Sequence, residues 1–336
     1  MRGPSFAGHF KNFFPSLQGK VLGQGWYRRK LRCGHRFTPP FRFQFKPSVE
    51  LAKTILILSL IVPFARLLNI ELGHEKLGNA MKAVILAGGM GTRLREETEY
   101  RPKPMVEIGG KPILWHIMKT LSHQGLKDFI VCLGYKGEQI KDYFINYETR
   151  ANDVVVKLGS NDISVKDSNS ENEDWSITLA NTGQNTMTGG RIFKIRDYVK
   201  NERFLCTYGD GLANIDLGKL LSFHEKHGKI ATVTAVRPTT RFGAMSIEPD
   251  GTVSEFTEKP KSEAWVNGGF FIFEPEIFDY LDENSVLETK PLEAIAKAGE
   301  LHAYQHDGFW QPMDTFRESQ ELNELWGKNQ APWKVW

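Results

Sequence analysis

The sequence predicts an α/β protein built on a mostly parallel central sheet with helices on both faces. Three observations support this fold class. Short, continuous apolar runs at Lys82–Ala87, Asp128–Leu133 and Phe204–Tyr208 are typical of strands that are buried on both faces. Segments with apolar residues at helical spacing lie between them, which indicates crossover connections. The first and third runs end in glycines, at the sheet edge where such folds bind ligands.

The other elements of this part follow in chain order. A helix over Ile113–Gln124 ends at Gly125, and a second helix covers Gly137–Tyr147 with aromatic residues on one face. The polar and acidic residues 160–175 predict an exposed insertion or hairpin. Further strands are predicted at Val154–Lys157, Ser176–Ala180 and Ile230–Val236.

A smaller, β-rich part is predicted from Gly243 onward. The turn Pro249-Asp250-Gly251 joins Ala244–Glu248 and Thr252–Thr257 into a hairpin. A strand over Asn267–Phe273 follows. Helices are predicted at Pro275–Leu281, Pro291–Ala298 and Asp314–Trp326, the first two with proline in the first turn.

Charge is distributed unevenly along the 336 residues, which could form one large domain or two. Residues 1–80 hold 13 Lys and Arg against 3 Asp and Glu, whereas residues 81–336 hold 30 against 37. The acidic main part argues against a nucleic-acid-binding surface. Cys33, Cys132 and Cys206 form no close pair, which favours a reducing compartment and excludes a disulfide framework or a zinc site.

Residues 1–80 predict a basic N-terminal extension with little stable structure. Its apolar run, Thr54–Val62 continued to Ala65, is shorter than the roughly 18 to 20 residues that span a bilayer. Three interpretations remain open: translated upstream sequence with the true start at Met81, a targeting or anchoring segment, or a loosely structured appendage. Met81 leads directly into a buried strand, which favours the first.

The glycine loop after the first strand, Gly88 to Arg93, has the features of a phosphate site. Glycines let the backbone approach a ligand, and their N–H groups can converge on phosphate oxygens. Arg93 adds a planar cation, and Lys103 is held between two prolines. The spacing fits neither the dinucleotide fingerprint nor the P-loop. A glycine turn without a ligand is the alternative, and a nucleoside triphosphate is the ligand that the charges favour.

These motifs carry a resemblance to a known family. GGMGTRL followed by PKP resembles the signature of sugar-1-phosphate nucleotidyltransferases, and the likeness spans Met81 to Trp336 but not residues 1–80. Within that family the chain is most similar to the cytidylyltransferases. The further matching stretches are VEIGGKPILWHIM, MTGGR, TYGDG, RFGA, EKPK, NGGFF, GFWQPMDT and APWK.

The resemblance implies a Rossmann-like, GT-A-like domain over residues 81–336 with a smaller β-rich sugar-binding part. It implies transfer of a cytidylyl group from CTP to α-D-glucose 1-phosphate, with Mg²⁺, to give CDP-glucose and pyrophosphate for deoxysugar and O-antigen lipopolysaccharide synthesis. It also implies a cytoplasmic homo-oligomer, such as a hexamer, without nucleic-acid or membrane partners for residues 81–336. The alternatives are the same reaction with UTP or dTTP, and a non-catalytic regulatory subunit that binds nucleotide sugars.

The resemblance also assigns site residues. Lys103, Arg93 and Asp210 are expected to be catalytic, and Asp210 and Asp314 to be magnesium ligands; a turn aspartate and a helix N-cap are the alternatives. The sugar phosphate is expected at Lys259, Asn267 and Gly268, for which a turn lysine and a bulged strand are the alternatives. The expected nucleotide-binding residues are Leu86, Ala87, Gly88, Gly89, Met90, Gly91, Thr92, Arg93, Lys103, Thr186, Arg191 and Gly209.

Some polar and aromatic residues are predicted to lie outside the site. His224 and His227 are predicted to be surface histidines on a helix. Trp310, Trp326, Trp333 and Trp336 are predicted to be core or subunit-contact residues rather than a base-stacking platform.

Overall fold

A computed structural model of the protein describes residues 81–166, 173–240 and 242–336. The extension predicted over residues 1–80 lies outside the described residues. The strands are β1 Lys82–Ala87, β2 Glu107–Ile108, β3 Lys111–Pro112, β4 Asp128–Leu133, β5 Asp153–Lys157, β6 Asp162–Lys166, β7 Ser176–Asn181, β8 Phe204–Tyr208, β9 Gly211–Ala213, β10 Ala231–Val236, β11 Ala244–Ile247, β12 Val253–Thr257, β13 Val266–Asn267, β14 Phe271–Phe273, β15 Leu301–His306 and β16 Trp310–Pro312.

Helices connect these strands and cover the sheet. The α-helices are α1 Arg95–Thr98, α2 Ile113–His123, α3 Gly137–Ile145, α4 Tyr147–Ala151, α5 Thr188–Lys194, α6 Arg196–Val199, α7 Leu217–His227, α8 Lys290–Lys297 and α9 Phe316–Gly327. Two 3₁₀ turns are formed by Lys103–Met105 and Pro275–Tyr280.

The central sheet is mostly parallel, which confirms the predicted fold class. β1 lies between β4 and β8 and is parallel to both, β7 extends the parallel part beyond β4, and β15 pairs in parallel with β10. β14 is inserted antiparallel between β8 and β10. The carboxyl ends of β1 and β8 therefore lie side by side at one edge.

Apolar layers cover both faces of the sheet, which explains the continuous hydrophobic runs. Ala83, Ile85 and Ala87 of β1 face a core that includes α2 and α7, while Val84 and Leu86 face a second core that includes α5 and α8. Side chains alternate between the faces of a strand, so only a strand covered on both sides needs apolar residues at every position.

Several predicted elements differ from the structure. Asp153–Lys157 is not a strand of the central sheet but pairs antiparallel with Asp162–Lys166 in an exposed hairpin, so the hairpin predicted within residues 160–175 begins earlier. The strand predicted over Asn267–Phe273 is interrupted because Gly269 and Phe270 both adopt positive φ. The last helix begins at Phe316, and Thr315, not Asp314, caps it through a capping box with Glu318.

The surface assignment of the helical histidines was wrong. His224 is fully buried, and both His224 and His227 bond the hydroxyl of Thr232. Trp333 is fully buried against His116, with Trp326 and Trp336 packed around the same ring, which confirms their core assignment. A helix with two histidines three residues apart can turn either towards solvent or towards a strand, and only the tertiary contacts decide.

Candidate active site

The glycine loop lies where the sequence predicts, at the carboxyl end of β1. A cavity of about 340 Å³ opens beside it. Eleven of the twelve predicted nucleotide-binding residues line this cavity, together with Asp210; the exception is Met90, whose side chain is 49% exposed outside it. Gly91 has a φ of +62°, a backbone conformation that glycine adopts without strain. The loop and the end of β8 therefore form one wall, as the parallel pairing of β1 and β8 requires.

Arg191 supports the loop from behind. Its buried guanidinium donates to the backbone carbonyls of Gly88, Leu133 and Gly183 at 2.8–2.9 Å. A Cβ at Gly88 would lie 2.2 Å from that guanidinium, so the glycine is needed for this close approach. Burial lowers the pKa of Arg191 from its ordinary value. The structure thus places this predicted nucleotide-binding cation in contact with protein carbonyls at the base of the cavity.

A cluster of charged side chains occupies the rim between β1 and β8. The Lys103 ammonium donates to Asp210 Oδ2 at 2.6 Å and to Asp314 Oδ1 at 2.5 Å. Arg93 Nη1 donates to Asp314 Oδ2 at 2.8 Å. The Lys103 side chain is only 10% exposed. Burial alone would lower the pKa of Lys103, but the two carboxylates outweigh that effect and raise it.

Asp210 and Asp314 meet because of a short antiparallel strand pair that the sequence does not reveal. Gly211 of β9 pairs with Pro312 of β16, and the Met313 amide donates to the Asp210 carbonyl at 2.8 Å. Asp210 directly precedes β9 and Asp314 lies two residues after β16, so both are at the same end of the antiparallel pair. Two aspartates far apart in the sequence are thereby directed at one point.

These two carboxylates have the donor chemistry of a magnesium site. Mg²⁺ is commonly held by one or two carboxylates and completes its shell with water and substrate phosphates. Among the described residues no group of three or more His, Cys, Asp or Glu side chains is arranged to hold a metal. The pair Asp210 and Asp314 already shares one cation, the Lys103 ammonium, so its geometry fits the shared binding of a cation.

A second cavity, of about 260 Å³, adjoins the first and shares Arg93, Tyr208 and Asp210 with it. Gly268 and Trp310 line it, and the Trp310 indole donates to the Gly268 carbonyl at 2.8 Å. Trp310 packs against the same core as Trp326 and Trp336, as predicted, and it also lines this cavity. Asn267 bonds the Tyr208 hydroxyl at 3.2 Å, on the wall between the cavities.

Lys259 lies apart from this cluster. It lines a further cavity with Trp310 and Pro312, which also line the second one, and its φ is +49°. The structure thus places Gly268 on the second cavity and bonds Asn267 to Tyr208, which lines it, whereas Lys259 lines the further cavity. The described residues include no helix that is both long enough and apolar enough to cross a membrane.

Comparisons with known proteins point to one family. A sequence model described as nucleotidyl transferase matches residues 82–317. The glucose-1-phosphate cytidylyltransferase of Salmonella typhi is 53% identical over 259 residues, which cover 76% of this chain and 100% of that protein. A probable glucose-1-phosphate cytidylyltransferase of Bacillus subtilis is 47% identical, with 76% of this chain and 100% of that protein covered. A solved structure of UDP-glucose pyrophosphorylase without ligand superimposes with a TM-score of 0.55 at 20% identity, over 75% of this chain and 99% of that chain, and supports the fold alone.

Proposed function

From the premise that the chain belongs to the nucleotidyl transferase family, we propose that it transfers the cytidylyl group of CTP to α-D-glucose 1-phosphate and releases pyrophosphate. The product is CDP-glucose. The observation that carries this proposal is the shared contact of Lys103 with Asp210 and Asp314 beside the glycine loop. The choice of CTP rests on the relatives of Salmonella and Bacillus named above.

The site can promote this reaction by position and charge. A phosphate oxygen of the sugar phosphate attacks the α-phosphorus, a new P–O bond forms, and the bond to the β-phosphate breaks. No covalent enzyme intermediate is needed, so the residues must align two anions and neutralise their charge. The loop amides and Arg93 would hold the triphosphate. The Lys103 ammonium would stabilise the charge that grows on the α- and β-phosphates.

Magnesium is the proposed cofactor, held by Asp210 and Asp314. When bound it supplies positive charge to the triphosphate. Thr186, Arg191 and Gly209 would complete the nucleotide site. On the sugar side, Asn267 and the Gly268 backbone would bind glucose hydroxyls. Lys259 would bind the phosphate of the sugar, and this requires the segment that carries Lys259 to move closer to the second cavity.

We further propose that residues 81–336 form the nucleotidyltransferase domain, with residues 1–80 as an extension outside it, and that the protein is a homo-oligomer. Two exposed hairpins support the second proposal. In the first, Leu158 is 86% and Ile163 63% exposed; in the second, Phe256 is 61% and Ile247 63% exposed. Two-stranded ribbons with apolar residues in water are marginal alone and are commonly covered by a partner. Light scattering tests the oligomeric state directly.

A cytoplasmic location and a role in O-antigen synthesis stay predictions from the resemblance.

The decisive experiment compares nucleotides. The protein is incubated with Mg²⁺, glucose 1-phosphate and CTP, UTP or dTTP separately, and pyrophosphate release is measured. CTP should be turned over fastest. Equal or faster turnover with UTP or dTTP would reject the proposed base specificity. No turnover with any of the three would favour a non-catalytic binding subunit, although Lys103, Lys259, Asp210 and Asp314 are all present.

A further inference from the structure

Glu288 lies between the walls of the two cavities, and neither of the proposed substrate sites includes it. It is in the loop before α8, and both of its carboxylate oxygens accept short hydrogen bonds. The Thr188 hydroxyl donates to Oε2 at 2.6 Å, and the Tyr208 hydroxyl donates to Oε1 at 2.6 Å. Thr188 lines the first cavity, and Tyr208 lines both cavities. One carboxylate therefore connects the nucleotide wall to the wall shared with the sugar side.

The hydrogen-bond chain through Glu288 has a fixed direction. The Leu287 amide donates to Thr188 Oγ1 at 3.0 Å, which leaves the Thr188 proton for Glu288. On the other side, the Gly269 amide donates to Asn267 Oδ1, and Asn267 Nδ2 donates to the Tyr208 hydroxyl, whose proton is then directed at Glu288. A carboxylate only accepts, so ionised Glu288 satisfies both hydroxyl donors at once.

Close packing joins the start of α5 to the loop that carries Glu288, which is itself an exposed residue. At Gly190 of α5 a Cβ would lie 2.2 Å from the Glu283 carbonyl, and at Gly189 one would lie 2.8 Å from Ser285. The Gly190 amide donates to the Ser285 carbonyl at 2.9 Å. The two glycines thus let the start of α5 contact the loop that carries Glu288. The loop in turn fixes Thr188 relative to Tyr208, two residues before Asp210.

We propose that Glu288 is a positioning residue that couples the nucleotide site to the sugar-phosphate site. It acts through Thr188 on the first cavity and through Tyr208 and Asn267 on the second. Because Tyr208 lies two residues from Asp210, a shift of its ring also affects how the two substrates are aligned. Small misplacements of reacting groups cost large factors in rate, so one carboxylate that fixes both walls serves the transfer step. This inference rests on the proposed function for the identity of the two substrates.

The first test replaces Glu288 by glutamine, which keeps the shape but supplies only one accepting oxygen. E288Q should raise the KM for CTP and the KM for glucose 1-phosphate together, each by about five-fold, because the amide nitrogen of glutamine cannot accept from the hydroxyl that faces it and the link between the two walls is broken. E283Q, an exposed carboxylate of the same loop, should leave both values unchanged. An E288Q protein that changes one KM alone, or behaves like E283Q, would overturn the coupling role.

The second test does not require a change at Glu288. T188V and Y208F each remove one donor. T188V should act mainly on CTP, whereas Y208F should also raise the KM for glucose 1-phosphate, because Tyr208 lines both cavities and bonds Asn267. In the double variant Glu288 has lost both contacts, and the two effects should deviate from additivity by about three-fold or more. Strict additivity would refute the inference even if E288Q failed to fold.

The same variants separate this inference from the proposed function. CTP binding without sugar phosphate is measured by calorimetry alongside turnover. If the wild-type protein uses UTP instead of CTP, the proposed specificity fails, and the T188V/Y208F cycle is read with UTP. If the wild-type protein is active with CTP but the cycle is additive, only the role of Glu288 fails.

Discussion

Lys103→Met removes the ammonium that holds the two aspartates together and keeps a side chain of similar length. In the structure this ammonium lies 2.6 Å from Asp210 and 2.5 Å from Asp314, with the lysine side chain 10% exposed. At an effective dielectric constant of about 20, two unit charges about 4 Å apart interact by about 4 kcal/mol. The variant therefore loses a large interaction, and the outcome should be measurable in two separate assays.

The first assay is pyrophosphate release with CTP and glucose 1-phosphate. If Lys103 stabilises charge on the α- and β-phosphates, its removal should lower kcat about 10²- to 10³-fold, the range for a lost charge-stabilising donor. The second assay is Mn²⁺ affinity without nucleotide. Lys103 competes for the carboxylates that would hold the metal, so K103M should bind Mn²⁺ at least about ten-fold more tightly, or about 1.4 kcal/mol.

Lys226→Met is the control, because Lys226 is an exposed lysine of α7. It should change neither turnover nor Mn²⁺ affinity. The reasoning would be refuted if K103M kept turnover within ten-fold of the wild type, or if its Mn²⁺ affinity were unchanged or weaker. Circular dichroism establishes that both variants keep the fold.

Three further perturbations test the supports of the site. Arg191→Lys cannot reach the three carbonyls that the guanidinium joins, so the loop should loosen and CTP binding should weaken by about ten-fold. Acid should destabilise the fold through His116. This residue is fully buried and donates to the Ile108 carbonyl at 2.8 Å, and its pKa is lowered to about 4, mainly by burial. The pKa of His116 in the folded state lies below its unfolded value of about 6.5. The contribution of His116 to the free energy of unfolding is therefore complete above that pH and is lost, by up to about 3 kcal/mol, as the pH drops to 4. Gly190→Ala should cost about 2 kcal/mol or more, because its Cβ would lie 2.2 Å from the Glu283 carbonyl.

Each of these predictions has a matched control and a contrary outcome. Arg196→Lys, at an exposed arginine, should leave CTP binding unchanged, and equal effects of the two arginine variants would argue against loop support by Arg191. Urea denaturation from pH 4 to 7 should show a weaker pH dependence in His116→Gln than in His123→Gln; identical slopes would exclude His116 as a cause. Gly327→Ala has no atom within 4 Å of its added Cβ, and it should be tolerated where Gly190→Ala is not.

Much of the fold could be predicted from the spacing of apolar residues and from the glycines and prolines at the ends of the helices and strands. The buried strands Lys82–Ala87, Asp128–Leu133 and Phe204–Tyr208 have the predicted bounds, because strands covered on both faces need unbroken apolar sequence. β15, Leu301–His306, was not predicted. It is only partly buried and mixes polar with apolar residues, so its sequence resembles a loop.

The site was predictable where one local segment supplies its own geometry. The glycine loop and Lys103 are of that kind, since glycines and flanking prolines act on the backbone next to them. Tyr208 and Glu288 gave no such signal, because their contact depends on how α5 packs on a distant loop. Gly189 and Gly190 were the available clue, but in the sequence a pair of glycines at a helix start indicates a ligand as readily as a close helix contact.

The roles of Asp210 and Asp314 can be tested together by locating the metal. Crystals of the protein grown with CTP and Mn²⁺ give an anomalous difference map that fixes the ion without reference to activity. The account predicts one Mn²⁺ bound by both carboxylates and by triphosphate oxygens, with the Lys103 ammonium on the phosphates. An ion coordinated away from Asp210 and Asp314, with Lys103 still joining them while CTP is bound, would contradict it.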